Sequence, residues 1–281
     1  MTSSSKSELR RCRPLLGTFV EIKAWGSHGR QVHAAVDSAF AVIDSVQRSM
    51  SVHDPASEIS AANRSAHRHP VPLTHQTRTV LFMAMEIAEQ SDGAFDFTVA
   101  PTLARWGILP PHLRRSNAGN WRDVTLRPDG RVSFARPLSI DLGGIAKGYA
   151  VDLAVDALLR HGVRSGVVNA GGELRTFGRR RVAVYLRHPA YPGVLLDSMR
   201  ISNRAVATSS PCFSGRQWQG RTVSHLVAPG RNRAVTGDIS VSVLAGECWL
   251  ADALTKVVLN APARAERLLE QHRAEAYILT A

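Results

Sequence analysis

The 281-residue sequence predicts an α+β fold in one domain, on three observations. Apolar residues at helical spacing cluster in the first third. Short strand-like runs follow one another later in the chain. No internal repeat and no linker divides the chain. The expected organisation is a disordered basic segment over residues 1–13 and one domain over 14–281.

The elements follow in order. Thr18 to Trp25 alternates as a strand. Val32, Ala35, Val36, Ala39, Val42, Ile43 and Val46 have helical spacing, which predicts an amphipathic helix over 30–50. His53-Asp54-Pro55 ends it, and Asp54 or Ser57 caps a short helix beyond. Residues 64–72 read as a polar loop. Thr74 caps a second long helix to about residue 90, stopped at Ser91-Asp92-Gly93. Residues 122–134 form a hairpin turning at Pro128-Asp129-Gly130. A short strand, a glycine turn and a helix over 145–160 come next. A strand at Val167–Asn169 ends at Gly171-Gly172. Short strands fill 173–209 and 222–245. Helices over 248–259 and 263–272 and a strand over 276–279 complete the chain.

Apolar residues make up 44% and charged residues 21%, the balance of a globular protein with a sizeable core. A net charge of +12 favours anionic partners, or is no more than an arginine-rich surface. No basic motif interleaved with aromatics and no recognition helix is visible, so nucleic acid is not expected. Cys12, Cys212 and Cys248 are far apart, which argues against a disulfide framework or a zinc site. The N-terminal run has no apolar stretch before Leu15, hence no secretory or lipoprotein signal as it stands. No run reaches the roughly 18 to 20 apolar residues of a membrane span. A cytoplasmic protein is expected.

The most informative stretch is Asp141–Tyr149, DLGGIAKGY. A strand delivers Gly143 and Gly144 to the start of a helix, where backbone can approach a ligand and free N–H groups carry partial positive charge. Lys147 adds a full charge in the first turn. These features suit a pyrophosphate. They equally suit a tight strand-to-helix turn with a surface lysine. The spacing matches neither of the common phosphate-loop motifs. A second glycine turn at Asn169–Gly172 favours a cradle. Asp96, in Gly93-Ala94-Phe95-Asp96, either bonds a base edge or caps a helix near Val99. Asp252 and Thr255 share a helix face, and a carboxylate and hydroxyl there suit Mg²⁺. Asp252 is also placed to favour the helix dipole. His225 stands in a strand-like run, where it is either packed or catalytic.

Taken in chain order, PLLGTFVEI (14–22), MSVHDPASEISAAN (50–63), GAFDFTVAP (93–101), IDLGGIAKGYAVD (140–152), VNAGGELRTFG (168–178), AVATS (205–209), SHLVAP (224–229) and ADALTK (251–256) resemble the ApbE-type FAD:protein FMN transferases. The resemblance runs from about residue 14 to the end. It implies a T-fold-like α+β architecture with mixed or antiparallel sheets and packed helices. It implies Mg²⁺-dependent cleavage of FAD, transfer of FMN to a Thr or Ser hydroxyl of an acceptor flavoprotein, and release of AMP. It assigns FAD contacts to Leu16, His53, Ala94, Phe95, Asp96, Asp141, Lys147 and the backbone at Val227. Mg²⁺ falls to the Gly144 carbonyl, Asp252 and Thr255, and a role near the transferred phosphate to His225.

The chain departs from the family pattern at four places. Leu16 stands where Met is frequent, and His53 where Tyr is frequent. Ala228-Pro229-Gly230-Arg231 lacks a carboxylate usual after the histidine. Lys256 stands where a threonine is common, so that either Thr255 substitutes or Lys256 replaces part of the metal's charge. The missing carboxylate motivates an alternative, an FAD-binding or FAD-hydrolysing protein without protein flavinylation.

Overall fold

Alternation builds the first long strand of the domain. In Thr18–Gly26 the side chains of Val20, Ile22 and Ala24 are buried, while Phe19 on the opposite face is 71% exposed. The structure, a computed structural model, describes residues 7–26, 29–115, 119–191, 193–212 and 214–281.

A seven-stranded sheet forms the centre. Its order is Ser7–Leu15, Thr18–Gly26, Ser165–Ala170, Glu173–Phe177, Ala205–Ser209, Ile239–Ala245 and Glu275–Thr280, and every neighbouring pair is antiparallel. The α+β expectation holds: an antiparallel sheet carries packed helices.

Helices cover one face of this sheet. Helix α1 (Gly29–Met50) buries Val32, Ala35, Val36, Ala39, Phe40, Ile43, Val46 and Met50, the stripe that its sequence spacing predicts. Helix α2 (Glu58–Ser65) is capped by the Ser57 side chain, which accepts from the Ser60 N–H at 3.0 Å. Helix α3 (His75–Gln90) follows Thr74, whose N–H and hydroxyl donate to Glu58 and leave the helix without a side-chain cap. After the short helix α4 (Ala100–Arg105) come α5 (Ala146–Arg160), α6 (Cys248–Asn260) and α7 (Pro262–Gln271). Helix α5 packs between α1 and α6 against the sheet. On the other face, a hairpin of Val182–Arg187 and Leu195–Ile201 covers Val206 and Leu244 with Val184, Met199 and Ile201.

Two expectations need correction. The segment expected to be disordered is a strand from Ser7 onward, paired from Ser7↔Gly26 to Leu15↔Thr18. Its reading failed because an edge strand needs only a backbone partner and can lack an apolar face. Ion pairs of Arg10 with Glu21, and of Arg11 and Arg13 with Asp37, hold its side chains. Residues 1–6 lie outside the described residues. Within the expected loop over 64–72, Val71–Pro72 pairs with Arg131 and Val132, extending the 124–134 hairpin to three strands.

Cys12, Cys212 and Cys248 are all free. Among the described residues no helix is long and apolar enough to cross a membrane.

Candidate active site

The site begins where α5 crosses α6. The backbone of Gly148 lies so close to α6 that a Cβ there would stand 2.4 Å from the Cys248 carbonyl oxygen and 2.7 Å from the Trp249 Cα. This contact brings the first turn of α5 against the first turn of α6. The Gly148 N–H donates to Asp252 Oδ2 at 3.2 Å. The N-terminus of α6 has no local side-chain cap. Asp152, one turn along α5, takes that role: its carboxylate accepts from the N–H groups of Cys248 and Trp249, both at 2.9 Å. Arg175, 2.6 Å from Asp152, balances its charge. Burial pushes the Asp152 carboxyl up to about 6, against the opposing pull of Arg175 and the two N–H groups.

Four charged side chains gather beside this crossing. Lys147 Nζ is 2.9 Å from Glu173 Oε1 and 4.0 Å from Asp252 Oδ2. Lys256 donates to Asp252 Oδ1, and to the Asp252 carbonyl at 2.9 Å. Burial alone would lower the Lys147 pKa, but Asp252 and Glu173 outweigh it and hold the ammonium above its ordinary range. Glu173 is 4% exposed, and its Oε2 has no hydrogen-bond partner. Burial raises its carboxyl, with Lys147 pulling the other way.

A cleft of about 750 Å³ opens in front of these groups. Leu16, His53, Ala94, Phe95, Asp96, Asp141, Gly144, Lys147, His225 and Val227 all line it. Leu16, Val46, Met50 and Val52 line it with apolar side chains, Phe95 lies over Gly144 beside Lys256, and Lys147, Glu173 and Asp141 line the same space. Gly171, from the second glycine turn, also lines it, with φ +69° beside a Thr18 side chain that would stop any Cβ. Asp252 and Thr255 are both 0% exposed and do not line the cleft. They stand behind it.

Local structure explains the presentation of each group. Leu16 occupies a left-handed turn, φ +56°, between the first two strands of the sheet, and its N–H donates to Gln47 Oε1. Asp96 does not cap α4: its Oδ1 accepts from the Thr98 N–H and hydroxyl, closing a turn on itself. Burial raises the Asp96 carboxyl and these bonds oppose the shift. Asp141 is likewise raised by burial, opposed by the Gly143 N–H.

His225 is not in a strand. It stands at a bend between Arg221–Val223 and Val227–Ala228, exposed at the cleft wall. Buried Ser224 fixes the bend by donating to the Val235 carbonyl and accepting from the Leu226 N–H. Burial lowers the His225 pKa, Asp141 opposes this, and Lys147, Arg216 and His53 reinforce it.

Four contributors are absent from the sequence assignment. Asp152 and Gly148 position α6. Glu173 fixes Lys147. Asn260 donates to the carbonyls of Ala94 and Val227, tying the end of α6 to both flavin-assigned loops. Glu173 follows directly on Gly171-Gly172, a signal that could have been used. The others leave no local pattern.

The residues assigned to Mg²⁺ converge but do not offer a metal site. Lys256 and Gly148 occupy the two oxygens of Asp252. The Thr255 hydroxyl donates to the Asp252 carbonyl and bonds Ser209, both at 2.7 Å. Among the described residues no group of three acidic, histidine or cysteine side chains could hold a metal ion.

Antiparallel sheet, crossed helices and a cleft that combines apolar side chains with two lysines and a glycine turn define an α+β protein able to receive a ligand with apolar and anionic parts. The chain belongs to the ApbE family, whose model matches residues 16–278. It is similar to the FAD:protein FMN transferase of Vibrio cholerae, at 28% identity over 86% of this chain and 78% of that one. It is also similar to the FAD:protein FMN transferase of Treponema pallidum, at 26% identity over 88% and 77%. Among solved structures, the ApbE protein of Thermotoga maritima superposes with a TM-score of 0.85 over 97% of this chain and 94% of that one, at 24% identity. The flavin transferase ApbE of Vibrio cholerae superposes with a TM-score of 0.81 over 97% and 93%, at 25% identity.

Proposed function

We propose that this chain transfers FMN from FAD to a Ser or Thr hydroxyl of an acceptor flavoprotein and releases AMP. The chain is an enzyme of the FAD:protein FMN transferase class. One observation carries the finer reading: a single cleft combines apolar side chains with Gly143, Gly144, Lys147 and Lys256. FAD has that profile, with a flat ring system at one end and a diphosphate at its middle. Leu16, Phe95 and the neighbouring apolar wall receive the isoalloxazine, and His53 stacks or bonds at its edge. Ala94, Asp96 and the Val227 backbone bond polar edges of the ligand. The N-terminus of α5 and Lys147 receive the diphosphate.

The step is a phosphoryl-type transfer. The acceptor hydroxyl oxygen bonds to the phosphorus of the FMN half, and the bond from that phosphorus to the bridging oxygen breaks. AMP leaves with the bridging oxygen. His225, neutral at pH 7, takes the hydroxyl proton. Lys147 and the α5 N–H groups offset the charge that develops on the phosphate oxygens. Magnesium belongs to the reaction that the resemblance implies, but the donor set at Asp252 does not fit it.

Incubation with FAD and an acceptor flavoprotein is expected to add one FMN to the acceptor, read by intact mass. Free FMN and AMP formed without any acceptor would favour the hydrolase reading. FAD bound with neither product would leave binding as the function.

The lowered His225 pKa sets a pH dependence. The neutral base persists below the ordinary histidine value of about 6.5, so the transfer rate should stay level through that pH and fall only at lower pH. An acid limb centred at or above 6.5 would remove His225 as the base.

A further inference from the structure

The disagreement between Asp252 and a metal points to a second cation that the protein carries itself. Resting on the diphosphate reading above, we propose that Lys256 is a built-in substitute for a divalent cation: its ammonium, held by Asp252, bonds the phosphate oxygens of the dinucleotide, which this chain binds without metal.

The geometry supports this at each point. An ammonium has three donors. Lys256 spends one on Asp252 Oδ1 and one on the Asp252 carbonyl, four residues back on the same helix, and one remains. Its side chain is 17% exposed and lines the cleft. A Cβ on Gly144 would lie 3.6 Å from Lys256 Cε, so the stem runs alongside the glycine turn assigned to the diphosphate. Acid before base at this spacing is the favoured order on a helix.

Charge balance gives the same answer. Lys147 and Lys256 face Asp252 and Glu173, two positive charges against two negative ones. A divalent ion added here would meet the Lys256 ammonium already seated on its ligand. It would also find Thr255 turned to Ser209 and the Asp252 carbonyl. Hard cations require several free oxygens, and both carboxylate oxygens of Asp252 and the Thr255 hydroxyl are already engaged.

The test compares wild type, Lys256→Thr and Lys256→Met by FAD binding, in EDTA and in Mg²⁺, and by Mn²⁺ titration of the nucleotide-free proteins followed by electron paramagnetic resonance. Wild type should bind FAD equally in EDTA and Mg²⁺ and should take up no Mn²⁺. K256T, which removes the ammonium and adds a hydroxyl beside Asp252, should lose about tenfold in FAD affinity in EDTA and regain it in Mg²⁺. It should also bind one Mn²⁺. K256M keeps the apolar stem, and should lose the same affinity with no recovery in Mg²⁺. Wild-type FAD affinity that rises about tenfold with Mg²⁺, or one wild-type Mn²⁺ site lost in Asp252→Asn, would overturn the proposal. So would full FAD affinity of both variants in EDTA. If no protein binds FAD under any condition, the diphosphate reading fails, and the Mn²⁺ titration still decides what Lys256 replaces.

Discussion

Asp152→Ala is expected to lower folding stability by about 3 kcal/mol and to remove transferase activity at temperatures where the variant is still folded. The carboxylate is 6% exposed and carries three bonds: to the N–H groups of Cys248 and Trp249 and to Arg175. Truncation leaves a buried helix end uncapped and a guanidinium without its partner. Helix α6 then loses its anchor, and with it the placement of Asp252, Lys256 and Asn260. Urea unfolding should show a lower midpoint at an unchanged slope. Asp152→Asn keeps one acceptor and should lose about half as much. A pH series separates charge from hydrogen bonding. Burial raises this carboxyl from its unfolded value near 3.8 to about 6, so wild-type stability is highest below the lower value, falls as pH rises between the two and levels off above the upper one, where the three bonds persist. The Asn variant should lack that pH dependence. Wild-type stability in D152A would mean that α6 is held by its apolar face alone.

Gly148→Ala is expected to cost about 3 kcal/mol, the upper range for overpacking, because the added carbon meets backbone and not a movable side chain. The helices must separate, which lengthens the Gly148–Asp252 bond and withdraws Lys147 from Asp252. FAD affinity and transfer rate should both fall. Ala has the higher helix propensity by about 1 kcal/mol, so a variant more stable than wild type would show that the crossing tolerates spreading.

The helices were legible in the sequence because each carries a repeating apolar stripe. The residues 29–50, 75–90, 146–160 and 248–260 needed no tertiary information to be placed within a residue or two. The glycine turn at 143–144 was equally visible, since few other residues permit so close an approach. Three features were not. The Ser7–Leu15 strand is polar, and only its partner makes it a strand. His225 looked like a strand residue, because Ser224 bonds the bend in a way that hydropathy does not record. Asp152 carries no local signal of its role. Its role depends on α6, which nothing near it in sequence announces.

That separation has a consequence for how the protein comes to be folded. Asp152 and Cys248 are 96 positions apart, and Gly148 and Asp252 are 104 apart. The loop entropy for both contacts must be met before either contributes, so the two helices dock late and slowly compared with a helical bundle of the same size. On a ribosome, Asp152 emerges well before the α6 N–H groups that it caps. A ligand recognising the finished cleft would then act as a late clamp, slowing unfolding more than it speeds folding.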